Sequence, residues 1–463
     1  MSFLFYDLET FGLSATRQRI AQFAAIRTDE DLNVVGEPVD FLIRPASDVL
    51  PSPMSCAVTM ADPWHLQDHG LSESDAMVRI HDLMREPGTC TLGHNSFRFD
   101  DAFIRNGFYR NFLPIYDREW RDGNSRFDTI NALRAAYALR PDGIAWPSSE
   151  QAPVNFKLEE LAALNEVRTG DAHEALSDVR ATIGMARLIK QHHPKFWHYL
   201  LTLRDKRRVR ELLLDADRPV LLAVKGSFGV ANACAAPILP LFADESDTNK
   251  VIVFNLRQDP RELADTESGL PMTGLTKLAL NESPPLFALR HVTEPELDRL
   301  QLERAVIEER ATWLREHLGT LDLQRRWRSL RPDYGLAADV DEQLYEQFFS
   351  PADESWRQRV HGTPPAQLTS VVPRAQGDAR LPEMLWRFRA RNYPDTLRPQ
   401  ERRDWNVHCL ERFQDPDNPQ GLAAFAEEMQ TVRTQFADDT AVLELMDRVQ
   451  SFADHLVTQS SVV

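Results

Sequence analysis

Two acidic residues interrupt an apolar run near the start of the chain. Residues 3–13 read FLFYDLETFGL, with Asp7 and Glu9 two positions apart. Side chains alternate along a strand, so a strand here would place both carboxylates on one face. Two carboxylates at a buried strand end repel each other and lose hydration, and a cation between them would relieve both penalties. The alternative is a strand end that dips into solvent, and only further ligands can decide between the two.

Candidate ligands recur in two later segments. Residues 94–101 read HNSFRFDD, and Asp100 would begin the following helix, a position that acids also occupy as ordinary N-terminal residues. Residues 171–179 read DAHEALSDV, where His173 precedes Asp178 by five positions. Singly, these two are typical of a surface histidine and of an acid at a helix start. Jointly, four carboxylates and a histidine suit two hard divalent cations, which in pairs about 3.5–4 Å apart promote phosphoryl displacement.

The elements that must position these residues follow from the apolar periodicity. The predicted strands lie at 3–9, 20–28, 39–45 and 90–93, and the predicted helices at 72–86, 128–139, 157–166 and 178–190. This alternation indicates an α/β domain. The pattern turns β-rich after about residue 197 and becomes almost entirely helical after 341. We therefore expect three domains, at residues 1–193, 194–340 and 341–463.

Composition limits the class of protein. The chain has 463 residues and a net charge of −17, which argues against a uniformly basic surface for non-specific nucleic-acid binding. A basic groove remains compatible with that charge, and RDKRRVR at 204–210 could line one or could form a solvated helix face. No apolar run is long enough to span a membrane, and the N-terminus does not resemble a signal peptide. Four widely spaced cysteines predict reduced thiols without a zinc site, so we expect a cytoplasmic protein.

The quoted motifs resemble those of a known superfamily. DLET at 7–10, HNSFRFD at 94–100 and HEALSD at 173–178 are similar to the motifs of the DEDDh exonucleases, which have an RNase H-like fold. Further stretches resemble the bacterial exodeoxyribonuclease I family across essentially the whole chain: AQFAAIRTD, RNGFYRNF, AYALRPDGI, DVRATIGMA and RARNYP. The resemblance implies an RNase H-like α/β exonuclease domain, then an SH3-like β-rich domain and an all-α C-terminal domain.

The resemblance also implies an activity and the residues that perform it. The expected reaction is processive 3′→5′ degradation of single-stranded DNA to 5′-mononucleotides by two-metal-ion hydrolysis, in DNA repair and recombination. The implied ligands of two Mg²⁺ ions, for which Mn²⁺ could substitute, are Asp7, Glu9, Asp100 and Asp178. His173 is the implied general base, and a neutral imidazole can accept a proton from water near pH 7. We select Asp100 over its neighbour Asp101 because it follows the phenylalanine of its motif.

Candidate DNA-binding residues lie in the middle of the first domain. Residues 115–128 interleave aromatic side chains, which stack on bases, with arginines, which hold phosphates. Without the resemblance, core aromatics with a charged face would explain the segment equally well. The family's contacts to single-stranded DNA correspond here to Arg105, Tyr116, Trp120, Arg134 and Lys157. Lys157 replaces an arginine of the family, so a point charge would replace a planar fork.

The family is associated with a protein partner and with a closed DNA groove. Arg140 and Tyr199 match positions that contact the acidic C-terminal tail of single-stranded-DNA-binding protein, although they could equally be ordinary surface. The domains after residue 193 imply a clamp around the strand, and we expect a monomer. An exoribonuclease of the same fold, which treats the 2′-hydroxyl differently, stays open. A decayed scaffold would lack a ligand, and all five candidate catalytic residues are present.

Overall fold

The structure is a computed structural model that describes residues 1–147, 154–167, 174–265, 273–330, 335–374 and 376–461. Its N-terminal domain contains strands β1 Ser2–Thr10, β2 Ile20–Thr28, β3 Val39–Leu42, β4 Thr89–Gly93 and β5 Ser125–Asp128. The helices of this part are α1 Pro53–Thr59, α2 Pro63–His69, α3 Glu73–Arg85, α4 Asp100–Arg110, α5 Thr129–Leu139, α6 Leu158–Leu164, α7 Ala175–His192, α8 Pro194–Thr202 and α9 Lys206–Leu213.

A mixed five-stranded sheet organises the N-terminal domain, in the order β3-β2-β1-β4-β5. The central strand β1 runs antiparallel to β2 and parallel to β4, and β4 runs parallel to β5. Both faces of β1 are buried, with Phe3 and Phe5 in one core and Leu4 and Tyr6 in another. The predicted strands and helices are found within a few residues of their expected bounds, whereas strand β5 and helices α1, α2 and α8 were not predicted.

The middle domain is an antiparallel sheet of β6 Leu221–Val224, β7 Ala235–Ala243, β8 Lys250–Asn255, β9 Leu275–Ala279 and β10 Leu286–Ala288. Its strand order is β10-β6-β7-β8-β9, and a bulge interrupts the pairing of β7 with β8. The accompanying helices are α10 Glu262–Asp265, α11 Glu294–Arg299, α12 Arg304–Leu321 and α13 Leu323–Ser329.

Helices make up the regular structure of the C-terminal domain, whose described residues include no strand. They are α14 Pro351–His361, α15 Leu381–Asn392, α16 Pro399–Gln414, α17 Leu422–Gln435 and α18 Thr440–Ser461. The N-terminal α1 packs against both α17 and α18, so the first and last domains are in direct contact. No helix of the described chain is both long and apolar enough to cross a membrane.

Apolar cores cross the predicted domain boundaries. One core runs from Phe127 of β5 through Trp197 of α8 to Leu222 of β6, and the rings of Phe127 and Trp197 meet edge to face at 5.7 Å. A second core joins Phe112 to Trp356 and other residues of the C-terminal domain. The domain limits at 193 and 340 stay predictions, and α8, which lies beyond the first limit, packs on α7.

A buried ionic cluster also joins the first domain to the third. The guanidinium group of Arg391 lies 2.7 Å from Asp48 and 2.5 Å from Asp341. Arg19, in the turn after β1, lies 3.5 Å from Asp341 and 3.7 Å from Glu73. Charges removed from water require such partners, so buried charged groups of the first and third domains depend on one another for their pairing.

Candidate active site

The end of β1 carries the first two candidate ligands. Asp7 and Glu9 lie on the same face and are partly buried, while the intervening Leu8 belongs to the apolar core. β4 pairs with β1 only as far as Phe5, so the two carboxylates lie past the end of that pairing. The chain leaves β4 at the same edge of the sheet, because the two strands are parallel, and it leads from there into α4.

Helix α7 brings Asp178 to this edge. The helix packs across β1 and β2, and Asp178 lies in its first turn. Asp7, Glu9 and Asp178 each offer a carboxylate oxygen, and these oxygens all lie within 4.8 Å of one another. The structure therefore assembles three of the four predicted metal ligands from two segments 169 residues apart in sequence, Glu9 to Asp178.

The electrostatics of this carboxylate group call for a cation. Burial, and then the charge of Asp178, raise the pKa of Asp7 well above its ordinary value. Burial, and then the charges of Asp7 and Asp178, raise the pKa of Glu9 from 4.5 to about 9. Ionising all three groups without a countercharge is therefore unfavourable near neutral pH. An all-oxygen donor set of this kind fits Mg²⁺ or Mn²⁺.

Asp100 begins α4 and is buried. It is not a member of the three-residue group, but after burial the charge of Asp7 is the largest influence that raises its pKa, so the two carboxyl groups are near neighbours. Asp101 is engaged elsewhere. It accepts hydrogen bonds from Arg118 at 2.5 Å, from the Tyr6 hydroxyl at 2.8 Å and from Arg126. This difference supports the choice of Asp100 as the ligand.

The arginines around Asp101 keep its carboxyl group ionised, and one of them also forms a hydrogen bond to the middle domain. Burial alone would raise the pKa of Asp101, but the guanidinium groups of Arg118 and Arg126 hold it well below its usual range. Arg126 also donates to the backbone carbonyl of Asn281, at 3.0 Å, and its own carbonyl accepts a hydrogen bond from the Ser283 hydroxyl, at 3.1 Å. The framework beside Asp100 is therefore continuous with the loop that follows β9.

The sequence reasoning missed Asp128, which shapes the loop before Asp100. Its buried carboxylate accepts hydrogen bonds from the backbone N–H groups of Asn95, Phe97 and Ile130, at 2.8–3.1 Å. Burial nevertheless raises the pKa of Asp128 to about 6. The available signal was an aspartate directly before the helical run 129–139, which is typical of an N-cap.

His173 lies outside the described residues, so its role as general base stays a prediction. The neighbouring Glu174 is exposed and forms the N-cap position of α7.

Three of the predicted DNA-binding residues lie near one another. Arg105 makes two hydrogen bonds to Glu119, at 2.8 and 3.1 Å, and lies 5.8 Å from the centre of the Tyr116 ring. Trp120 is 64% exposed, which suits a surface on which bases stack. Because Glu119 engages Arg105, that guanidinium group can offer a phosphate only its remaining N–H groups.

Arg134 and Lys157 lie in a second area. Arg134 of α5 lies 5.7 Å from the Phe156 ring and beside Gly226 of the middle domain, and its buried Nε has no hydrogen-bond partner among the residues that the structure describes. Lys157 directly precedes α6, is exposed, and lies 3.5 Å from Glu160. His94 holds this area in place, since its Nε2 lies 2.8 Å from the Phe156 carbonyl.

A further exposed aromatic residue escaped the sequence reasoning. Phe348, in the segment before α14, is 86% exposed, and its ring lies edge to face with Tyr116 at 6.2 Å. The C-terminal domain thereby contributes an aromatic face beside the predicted DNA-binding residues. No sequence signal indicated this role, because residue type alone does not distinguish an exposed phenylalanine from one in the core.

Arg140 and Tyr199, the predicted partner contacts, line one pocket of about 540 Å³. It lies between the end of α5, the start of α8, strand β10 and helix α11, and its other lining residues are Leu139, His193, Pro194, Lys195, Phe196, Phe287, Ala288, His291, Val292 and Glu296. Part of the basic run 204–210 lies alongside, since Arg208 of α9 is 5.9 Å from the centre of the Tyr199 ring.

Comparison with known proteins assigns a family to each part of the chain. The family described as Exonuclease matches residues 4–186, Exonuclease I SH3-like domain matches 204–330, and Exonuclease I C-terminal domain matches 338–456. These matches confirm the predicted fold class, with an RNase H-like domain, an SH3-like domain and a helical C-terminal domain in that order.

Full-length relatives give the same result. The chain is 35% identical to exodeoxyribonuclease I of Escherichia coli strain K12, over 98% of both chains. It superposes on the crystal structure of E. coli Exonuclease I in complex with a dA16 oligonucleotide with a TM-score of 0.93, at 34% identity, covering 98% of this chain and all of that one. It also matches a crystal structure described as SSB/Exonuclease I in complex with inhibitor CFAM, with a TM-score of 0.90, at 34% identity, over 98% of this chain and 99% of that one. Agreement of this extent, across all three domains, places the chain in the exodeoxyribonuclease I family.

Proposed function

We propose that this chain is a metal-dependent 3′→5′ exonuclease that degrades single-stranded DNA processively to 5′-mononucleotides. The observation that carries the proposal is the group formed by Asp7, Glu9 and Asp178, whose oxygens lie within 4.8 Å. A relative named exodeoxyribonuclease I and a related structure bound to a dA16 oligonucleotide support the same activity.

Two Mg²⁺ ions are the proposed cofactors, with Mn²⁺ as a substitute. Asp7, Glu9, Asp100 and Asp178 would hold them, because these carboxylates lie at one edge of the sheet, and burial together with neighbouring negative charge raises the pKa values of Asp7, Glu9 and Asp100. When bound, such ions stabilise the attacking and leaving oxygens of a phosphodiester undergoing in-line displacement. Tyr6 and Asp101 hold β1 and α4 at a fixed separation, so the carboxylates are ordered before substrate arrives.

The remaining steps belong to other side chains. His173 would accept the proton of the attacking water, a contribution of about 10²–10⁴-fold in rate. Tyr116 and Trp120 would stack on unpaired bases, while Arg105, Arg134 and Lys157 would contact the backbone phosphates. Duplex DNA presents no unstacked bases to such a surface, which favours single strands.

The direct test uses single-stranded DNA and RNA oligonucleotides blocked at either end. We expect Mg²⁺-dependent release of 5′-mononucleotides from DNA, which a 3′ block stops and a 5′ block leaves unchanged. Cleavage that a 5′ block stops would overturn the polarity. Equal rates on RNA would favour the exoribonuclease reading, since the two nucleic acids differ at the 2′-hydroxyl.

We propose further that the pocket containing Arg140 and Tyr199 binds the acidic C-terminal tail of single-stranded-DNA-binding protein. Its apolar lining beside a guanidinium group suits a chain terminus that combines an apolar side chain with a carboxylate. The related structure described as SSB/Exonuclease I supports the choice of partner. Fluorescence anisotropy with a labelled tail peptide tests it, and Arg140→Ala should weaken binding at least about tenfold, as loss of a charge-assisted contact predicts.

The cellular setting follows from these proposals. We propose a monomeric, cytoplasmic enzyme that acts in DNA repair and recombination, where single-stranded ends arise. Light scattering at several concentrations tests the monomer, and a mass that doubles with concentration would contradict it.

A further inference from the structure

We propose that Glu296 acts as a built-in competitor in the pocket of about 540 Å³, holding Arg140 until an acidic peptide displaces it. The inference rests on the proposed binding of an acidic tail at this pocket. Of the described residues that line the pocket, Glu296 is the only acid, and it pairs with the cation that the peptide would need.

Glu296 is held firmly in this position. One carboxylate oxygen, Oε2, accepts hydrogen bonds from the backbone N–H of Thr293, at 2.6 Å, and from its hydroxyl, at 2.9 Å. The bond from the Thr293 backbone N–H belongs to the capping box of α11, so the helix itself orients the side chain. The other oxygen, Oε1, pairs with Arg140, and the side chain is only 14% exposed.

Arg140 is held less firmly. It is the C-cap residue of α5, its side chain is 43% exposed, and its guanidinium group lies 5.8 Å from the centre of the Phe196 ring. The same nitrogen, Nη1, donates both to Glu296 and to the Leu139 carbonyl. A peptide carboxylate that binds this guanidinium group through two hydrogen bonds must therefore replace Glu296 or lie beside it.

Both outcomes weaken the binding of an acidic ligand. Displacing Glu296 breaks an ion pair, and lying beside it brings like charges together. The pocket lining also includes a cation, Lys195, and two side chains that become cations when protonated, His193 and His291. The negative charge of Glu296 opposes the attraction of these groups for an acidic ligand. The arrangement keeps Arg140 paired in the free protein and favours release of the tail after binding.

Glu296→Gln is the informative variant because glutamine retains the capping hydrogen bond and loses the charge. In the full-length protein we expect the labelled acidic tail peptide to bind about 3- to 10-fold more tightly, the range that one partly exposed charge pair represents. Glu294→Gln is the matched control. It changes the net charge equally in the same helical turn, but Glu294 pairs with Arg304 outside the pocket lining. We expect its affinity to stay within about twofold of wild type.

Arg140→Ala separates failure of this inference from failure of the proposed partner site. If that variant loses peptide binding and Glu296→Gln gains it, both proposals stand. If Arg140→Ala loses binding while Glu296→Gln binds the peptide as wild type does, or more weakly, the competitor role is refuted and the partner site stands. If Arg140→Ala binds as wild type, the partner site is refuted and the competitor role falls with it. Melting temperatures of all variants exclude misfolding as the cause.

Discussion

The hydroxyl group of Tyr6 donates a hydrogen bond to Asp101 Oδ1 across 2.8 Å, and this bond joins β1 to α4. Tyr6 directly precedes Asp7, and Asp101 directly follows Asp100. Both bonded residues are buried. The contact lies on the face of the strand opposite Asp7. It therefore sets the distance between the two proposed metal ligands, Asp7 and Asp100.

Tyr6→Phe removes only one hydroxyl group, which is not a proposed metal ligand, but it should still impair catalysis. It removes one buried hydrogen bond to a charged acceptor, for a loss of about 1.5–3 kcal/mol in the free energy of unfolding. We expect kcat to fall about tenfold, equivalent to roughly 1.4 kcal/mol of transition-state stabilisation, with little change in KM for DNA. The Mg²⁺ concentration for half-maximal rate should rise, because Asp7 and Asp100 lose their fixed spacing.

Tyr109→Phe provides the matched control. The Tyr109 hydroxyl is also buried and donates to the Val340 carbonyl at 2.9 Å, away from the carboxylate group. We expect it to lower stability while leaving kcat and the Mg²⁺ requirement as in wild type. If both variants lose activity in proportion to their loss of stability, Tyr6 has no positioning role.

Asp7→Asn should abolish cleavage and stabilise the metal-free protein. The pKa of Glu9 is about 9 in the fold and 4.5 ordinarily, so between these values the folded chain retains a proton that the unfolded chain releases. The free energy of unfolding without metal therefore falls as pH rises through this window. Removing the charge of Asp7 relieves part of that penalty, so the variant's gain in melting temperature should be larger at pH 8.5 than at pH 6.

Mg²⁺ should make the wild-type protein more stable than Asp7→Asn, the reverse of their order without metal. A ligand that binds only the folded state stabilises it, and metal ligands must be deprotonated, so saturating Mg²⁺ should raise the wild-type melting temperature strongly at pH 8.5. The increase for Asp7→Asn should be much smaller. Asp438→Asn, which removes an exposed charge from the C-terminal domain, should respond to Mg²⁺ as wild type does. Near-normal cleavage by Asp7→Asn at saturating Mg²⁺ would exclude Asp7 as a ligand.

His173→Ala should lose about 10²–10⁴-fold in rate and retain its affinity for metal and DNA. The reason is that the histidine would act on the attacking water and not on the ion. Mg²⁺-dependent melting temperatures and anisotropy with a labelled oligonucleotide measure the two affinities, with the exposed His65→Ala as control. A loss of Mg²⁺ response as severe as in Asp7→Asn would instead identify His173 as a metal ligand.

The sequence predicted local features well where one residue pattern had one physical meaning. The alternation that places Asp7 and Glu9 on one face of β1, and the position of Asp178 in the first turn of α7, both follow from periodicity alone. That Asp100 and not Asp101 faces Asp7 depends on Arg118 and Arg126, which approach from sequence positions 17 and 25 residues away. Phe348 and the pairing of Glu296 with Arg140 bring together residues from different domains, and no periodicity encodes such contacts.

Arg391→Met should destabilise the junction between the first and third domains. It leaves the buried carboxylates of Asp48 and Asp341 without their nearest guanidinium partner, for a cost of about 3–5 kcal/mol. Denaturant unfolding measures the loss. Arg433→Met removes an ion pair of the same type, to Asp447 at 2.7 Å, but on the surface, and should cost at most about 1 kcal/mol. Equal costs would show that the buried cluster does not stabilise the junction.

Phe348→Ala should shorten the run of cuts made in one binding event. The ring is 86% exposed and lies edge to face with Tyr116, so the two domains present neighbouring aromatic faces on which the bases of a single strand would stack. Stacking on an aromatic ring contributes about 1–3 kcal/mol per base, and its loss should speed dissociation roughly 5- to 150-fold. The number of nucleotides removed before dissociation should fall by a similar factor, and the rate of the first cut should fall much less.

The measurement follows a labelled long strand after excess unlabelled single-stranded DNA is added to trap any enzyme that dissociates. Val372→Ala is a suitable control, because Val372 is another strongly exposed apolar side chain of the C-terminal domain and lies outside the aromatic cluster. It should degrade the strand through the trap as wild type does. If Phe348→Ala does the same, the aromatic contact between the domains does not retain DNA. If the first cut slows as much as the run shortens, Phe348 acts at the reaction centre and not on dissociation.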